Sequence, residues 1–229
     1  MPAPLVVLWE DAHGLATNKP AGLLTQRGSD PAEITLETLV RQHLRPDDPA
    51  SAFVGTVHRL DRPVSGVVLW AKTPKAARRW SEQFARREAR KEYWAIVEGD
   101  AAPFGPSGTW DDWIGPPDRQ GRAPIRSDEA SGFAHALTAY EVAARAGGPA
   151  GTTRLTLRPE TGRTHQLRAQ AASRGRPIVG DATYGSTRAF PEGIALHARS
   201  LTTRHPILRE EMTWVAPPPD AWSRWAGGA

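Results

Sequence analysis

The chain has 229 residues, 39% hydrophobic and 24% charged, with seven histidines and no cysteine. This composition suits a folded soluble protein and excludes disulfides, thiolate metal sites and a cysteine nucleophile. The net charge is +4, and only Lys19, Lys72, Lys75 and Lys91 among 29 basic residues are lysines, so the positive charge is almost all arginine. Arginine makes planar, bidentate contacts to phosphate and stacks on bases, which makes a nucleic acid a modest favourite as partner.

In chain order, "LVVLWE" (5–10) predicts a strand, and "LATNKPAGLLT" a second strand running into a Pro-Gly turn. "ITLETLVRQHL" carries Leu36, Leu39, Val40, His43 and Leu44 at helical spacing, and "RPDDPASA" reads as a polar loop. "GVVLWAKT" is a strand of the buried type. Pro74 then stands where a first helical turn tolerates proline, and the helix is expected to run through "KAARRWSEQFARREAR", with Ala76, Trp80 and Phe84 on one face. "KEYWAIVEG" alternates as a half-buried strand. Residues 101–132 are rich in Pro, Gly and Asp and read as loops with short strands. "HALTAYEVAA" and "TRLTLRPE" are expected to pair, "RTHQLRAQAASRG" to form a short helix closed by Gly175, and "IALHARSLTTRHP" and "EMTWVAPPP" to be the last strands before a tail over 217–229. Strands dominate without strict alternation with helices, which predicts an α+β protein with a mostly antiparallel sheet in a single domain over 1–229. The N-terminus lacks the positive region of a signal peptide, and no run approaches the roughly 18 apolar residues of a membrane span. A cytoplasmic location without membrane attachment is therefore expected.

Two segments concentrate chemistry. In "HRLDRPVSG" (58–66) Asp61 lies between Arg59 and Arg62, whose charges favour an ionised carboxylate. A protein kinase would need a Gly-rich phosphate loop before this motif and "DFG" after it, and neither is present. A glycosidase would need a second carboxylate across a cleft, for which Glu160 or Asp181 would have to come within reach. The second segment is "TGRTHQLRAQAASRGRPIVGDATYG" (161–185). Gly162 opens a helix bearing Arg163 and Arg168, an arrangement that attracts an anion, either a phosphate or a carboxylate from elsewhere in the chain. His165 reads as a packed or capping residue. No His pair has metal-ligand spacing, so no metal is expected.

"VHRLDRPVSGVVLWAKT", "KEYWAIVEG", "TGRTHQLRAQAASRGRPIVGDATYG" and "ALHARSLTTRHP", with "NKPAGLLT" before them and "ALTAYEV" between, resemble the successive motifs of the RluA-type pseudouridine synthases. The resemblance runs in order from about residue 5 to about residue 216. It implies the pseudouridine synthase fold: an α+β domain with a long mixed, mostly antiparallel sheet, flanking helices and a central basic cleft. It also implies isomerisation of a uridine within tRNA or rRNA to pseudouridine, without metal or cofactor, by a monomer. Asp61 then matches the catalytic carboxylate. Arg168 matches the arginine that pairs with it, and Tyr93 the tyrosine that lies against the target base. Arg59 matches the arginine that fills the space left by the flipped nucleotide. His58, Arg62 and Arg163 are assigned to the RNA-facing set, Arg163 as a phosphate contact or a structural ion pair.

The sequence departs from the family pattern at Val64-Ser65, where Thr-Thr or Thr-Ser is frequent, and at Ala169-Gln170, where Val-His is common. The chain begins at the catalytic motifs, so no S4 RNA-binding domain is expected before them. RNA affinity is then expected from the Arg-rich 75–90 helix and the 101–132 segment. The alternative is a catalytically idle RNA-binding or RNA-folding protein on the same scaffold. Asp61, Tyr93 and Arg168 together disfavour it, because a binder has no need of a carboxylate facing phosphates.

Overall fold

Short apolar runs bounded by turn residues build most of this chain. The computed structural model describes residues 4–28, 30, 32–100, 105–143, 151–223 and 225. They fall into two compact units, Met1–Arg90 with Ala198–Pro218, and Lys91–His197 with Pro219–Ala229.

The first unit contains β1 (Val6–Glu10), β2 (Gly14–Lys19), α1 (Leu36–Leu44), β3 (Gly55–Thr56), β4 (Ser65–Ala71), α2 (Pro74–Ala85) and β11 (Glu211–Val215), together with most of β10 (Leu196–Arg204). β1 pairs with β2, β2 and β3 with β4, and β10 with β11, each antiparallel, and β4 also neighbours β10. All seven residues of β4 are buried, as expected of a continuous apolar run covered on both faces. Alternation sends Val67, Leu69 and Ala71 to one face, where they meet Ala16, Leu201, Trp214 and the α2 residues Ala76 and Trp80. Gly14 makes room for this contact, because a Cβ there would stand 2.3 Å from the Trp80 ring. Thr73 caps α2 by accepting from the Ala76 N–H, and Pro74 occupies the first turn. The helix stops at Ala85 rather than continuing to Arg90. Arg87 takes a left-handed backbone (φ 60°), and Arg90 already opens the next strand.

The second unit holds most of β5 (Arg90–Glu98), with β6 (Ser107–Ile114), β7 (Ile125–Arg126), β8 (Ala134–Val142), β9 (Thr152–Pro159) and α3 (Gln166–Ser173), the strands ordered β5-β9-β8-β6-β7 in antiparallel ladders. β6 is a full eight-residue strand where loops with short strands were expected. Its buried positions Trp110, Asp112 and Ile114 alternate with the exposed Asp111 and the half-buried Trp113, and its acidic pair obscures the pattern. Six of the eight residues of α3 are buried, three of them polar. The Gly-rich 144–150 connection lies outside the described residues. The expected tail over 217–229 is anchored where it is described. Trp222 is buried, with its ring 6.1 Å from Phe190 and 6.0 Å from His197. Among the described residues no helix is long and apolar enough to cross a membrane.

Candidate active site

His58, Arg59, Asp61 and Arg62 lie on one loop between β3 and β4, and this loop is fastened to the turn after β2. The fastening begins at α1. Helix first turns leave N–H groups without intrahelical acceptors. Here Leu36 N–H donates to the Leu24 carbonyl (2.8 Å) and Glu37 N–H to that of Thr25 (3.0 Å). Thr25 then grips the loop from both sides. Its Oγ1 donates to the Leu60 carbonyl (2.7 Å) and accepts from the Leu60 N–H (3.1 Å). Gly22 N–H donates to the Arg62 carbonyl (2.8 Å), and Arg62 Nε returns a bond to the Gly22 carbonyl (3.0 Å).

Lys19 completes the grip. Its side chain is fully buried, and Nζ donates to the carbonyls of Pro20 (3.0 Å), Leu23 (2.6 Å) and Arg62 (3.1 Å). Three donors meet three acceptors, so the ammonium is saturated. Burial pulls it down to about 7, against the opposing pull of the Asp61 charge. The result is a half-buried Asp61 whose neighbours on either side, Leu60 and Arg62, are both held through their backbones.

The flanking side chains do different jobs. Arg59 is exposed and, among the described residues, its guanidinium has no hydrogen-bond or ion-pair partner. Arg62 turns towards Glu33, with Nη2 at 2.9 Å from Oε1, so this arginine is engaged with a carboxylate other than Asp61. His58 faces inwards, stacked on Phe84 with ring centroids 4.9 Å apart, and its Nε2 accepts from the Leu69 N–H (2.9 Å). That bond requires the tautomer with hydrogen on Nδ1 and none on Nε2.

Tyr93, Arg163 and Arg168 belong to the second unit. Tyr93 is half-buried on β5, opposite Leu157 of β9. Arg168 is buried on α3, and its Nε and Nη2 donate to the two oxygens of Asp181 at 2.6 and 2.9 Å. Asp181 is itself 2% exposed. Such a fork-to-fork pair fixes the plane of the guanidinium as well as its position. The Tyr184 ring lies against the same guanidinium, 5.0 Å from centroid to Cζ. Its hydroxyl accepts from the Ala123 N–H (2.8 Å) and meets His165 Nδ1 at 3.1 Å. His165 is thus packed at the helix start as expected, in a left-handed conformation (φ 57°) and without a side-chain cap bond. Arg163 is exposed, with Nε donating to the His135 carbonyl (2.8 Å).

The other buried polar residues of α3 are satisfied within the unit. Gln166 Oε1 accepts from Thr161 Oγ1 (2.7 Å) and from the Arg163 N–H (3.0 Å). Gln170, where the family pattern favours His, accepts from Thr138 Oγ1 (2.7 Å). It donates to Asp112 (2.8 Å) and to the carbonyls of Ala136 (3.1 Å) and Trp110 (3.2 Å). An amide reaches four groups here, more than an imidazole with two ring nitrogens can satisfy.

Chemically, the first unit offers a carboxylate on a braced loop beside a guanidinium that has no partner among the described residues. The second offers a tyrosine and a guanidinium clamped by a buried carboxylate. Asp181, a candidate second acid for sugar hydrolysis, is committed to Arg168. Sequence reasoning missed Lys19, Thr25, Tyr184 and Lys91. Each acts through contacts with distant residues, and the only signal was their place within the quoted motifs.

Residues 13–173 match the family model described as RNA pseudouridylate synthase. The chain is 36% identical over 220 residues to the dual-specificity RNA pseudouridine synthase RluA of Escherichia coli K12, covering 93% of each chain. It is 35% identical to the ribosomal large subunit pseudouridine synthase D of Xanthomonas campestris, covering 96% of this chain and 68% of that one. The human RNA pseudouridylate synthase domain containing 1 superposes with a TM-score of 0.77 at 27% identity, covering 99% of this chain and 91% of that one.

Proposed function

Because this chain belongs to the RNA pseudouridylate synthase family, whose enzymes are isomerases, we propose that it converts a uridine in tRNA or ribosomal RNA to pseudouridine with Asp61 as its catalytic carboxylate. In this reaction the bond from N1 to C1′ breaks, the uracil turns, and C5 bonds to C1′ of the same ribose. The proton on C5 is lost and N1 gains one, so product and substrate are isomers. Asp61 acts on the ribose, at C1′ or at the C2′ proton. Arg168 supports the carboxylate's charge, Tyr93 lies against the base and serves proton transfer, and Arg59 occupies the gap left by the flipped nucleotide.

The observation that carries the reading is the state of the 58–62 loop. Catalysis gains when the reacting group is held in place before substrate arrives. Leu60 and Arg62 are fixed by backbone hydrogen bonds while Arg59, between them and the inward-facing His58, is exposed and unpartnered among the described residues. Extruding a base costs a few kcal/mol, and a planar cation stacked in the gap recovers part of that. The large-subunit relative supports ribosomal RNA as a substrate class, and the dual-specificity relative supports more than one class of RNA. The reading extends to a monomer acting in the cytoplasm.

The test is pseudouridine mapping by carbodiimide-adduct reverse-transcription stops in RNA from cells with the gene, without it, and carrying Asp61→Asn. A site present only with the wild-type gene is the expected result. Purified Asp61→Asn should bind RNA while forming no pseudouridine. A variant that still forms it would remove Asp61 from the reaction.

A further inference from the structure

Burial draws down the ammoniums of two lysines, Lys19 and Lys91, and the two are built differently. Lys19 gives its three donors to three carbonyls. Lys91 is half-buried on β5, and among the described residues its Nζ makes one hydrogen bond, to the Thr161 carbonyl at 3.0 Å. Among the described residues two of its donors therefore have no acceptor, and no carboxylate pairs with it. Burial alone pulls this ammonium down to about 8. A lysine kept for structure would be expected to saturate as Lys19 does, since an under-bonded recessed charge is destabilising.

The surroundings suit an incoming anion. Strand alternation puts Lys91 on the same face of β5 as Tyr93, two residues on, roughly 7 Å along the strand. The loop beside Nζ, Gly162 to Thr164, is exposed. A Cβ on Gly162 would sit 3.9 Å from Nζ, an ordinary contact distance, so this loop lies directly beside the ammonium. Among the described residues the N–H groups of Gly162 and Thr164 make no backbone hydrogen bond. Both precede the positive end of α3, and Arg163 is exposed between them. The loop is also held in advance, through Gln166 to Thr161 and to the Arg163 N–H.

We propose that Lys91, together with the Gly162–Thr164 loop, binds a backbone phosphate of the RNA next to the nucleotide that Tyr93 contacts. This inference rests on the reading of the chain as an RNA pseudouridine synthase. It gives Lys91 a binding role, and Tyr93 keeps its own.

The test uses tRNA and rRNA extracted from cells lacking the gene, with uridine tritiated at C5. Binding is measured against salt concentration for the wild type, Lys91→Met and Lys91→Arg, and tritium release is measured alongside. Lys91→Met should weaken binding about tenfold. It should also reduce the slope of log affinity against log salt by about one, and Lys91→Arg should restore most of that slope. KM should rise with kcat little changed. An unchanged slope in Lys91→Met overturns the phosphate contact, whatever its activity. Should Lys91→Met fail to fold, wild-type protein labelled with 13C at lysine Cε decides. The Lys91 signal should move when RNA is added, and a signal that stays put overturns the inference. Tritium release by the wild type tests the enzymatic reading separately, because the slope and the NMR signal report the contact even in a protein that releases none.

Discussion

Replacing Thr25 with Val removes one oxygen and keeps the side chain's shape, which isolates the grip on the 58–62 loop. Thr25 is 3% exposed and Leu60 6%. The Leu60 N–H and carbonyl each have Thr25 Oγ1 as their partner among the described residues. The valine leaves both backbone groups buried without a partner, at about 1–3 kcal/mol apiece. Partial relaxation and the added apolar surface offset some of this, so a loss of about 2–4 kcal/mol is expected. Urea unfolding followed by the fluorescence of the nine tryptophans measures it. Hydrogen exchange at the Leu60 amide reads the local effect directly and should accelerate. Asp61 follows Leu60 in the chain, and a misplacement of about 1 Å can cost about 100-fold in rate. Tritium release should therefore fall in kcat by at least about tenfold, with KM less affected. Thr25→Ser keeps the hydroxyl and should recover most of the loss. A Thr25→Val protein within about 1 kcal/mol of wild type, with unchanged kcat, would refute the idea that this hydroxyl braces the loop.

Two further perturbations bear on the buried charges. Asp181→Asn removes the anion from a buried pair and leaves Arg168 charged in the interior; a loss of about 3 kcal/mol in urea unfolding is expected, and a neutral effect would mean that the pair is not the clamp its geometry suggests. Lys19 makes stability depend on pH. Between about 7 and the ordinary lysine value of 10.5 the unfolded chain holds a proton that the folded chain has released, so stability rises with pH in that window. Below about 7 both states are protonated and the burial penalty stands in full. The slope from one such group is at most about 1.4 kcal/mol per pH unit. Urea midpoints at pH 7 and pH 9 should therefore differ less in Lys19→Met than in the wild type, and equal differences would count against a neutral Lys19 at pH 9.

Elements with an unbroken apolar run or strict alternation were legible in the sequence. β4, β5, β8 and β9 fall where "GVVLWAKT", "KEYWAIVEG", "HALTAYEVAA" and "TRLTLRPE" placed them. β6 was not legible, because Asp111 and Asp112 sit at its centre and Pro and Gly surround it. Asp112 points inwards only because Gln170 and Arg174, about sixty residues away, supply its partners. The end of α2 was missed for a similar reason, since nothing local in "ARREAR" announces the left-handed turn at Arg87. The site divides the same way. Motif order singled out Asp61, Tyr93 and Arg168, but not what holds them. Thr25 and Leu60 are 35 residues apart, and Lys19 and Arg62 are 43 apart. Such pairings follow from the path of the sheet and leave no periodic trace. Arg62 shows the limit most clearly. Sequence adjacency sets it beside Asp61, whereas packing turns its guanidinium to Glu33.

The two kinds of cation divide labour by pH. Arginine stays protonated throughout the range in which proteins work, so most of the long-range pull on an RNA strand should persist from pH 7 to 9. Burial brings the charges of Lys19 and Lys91 into that interval. Alkaline conditions should therefore alter how long a captured strand stays and how well it is held more than how often one arrives.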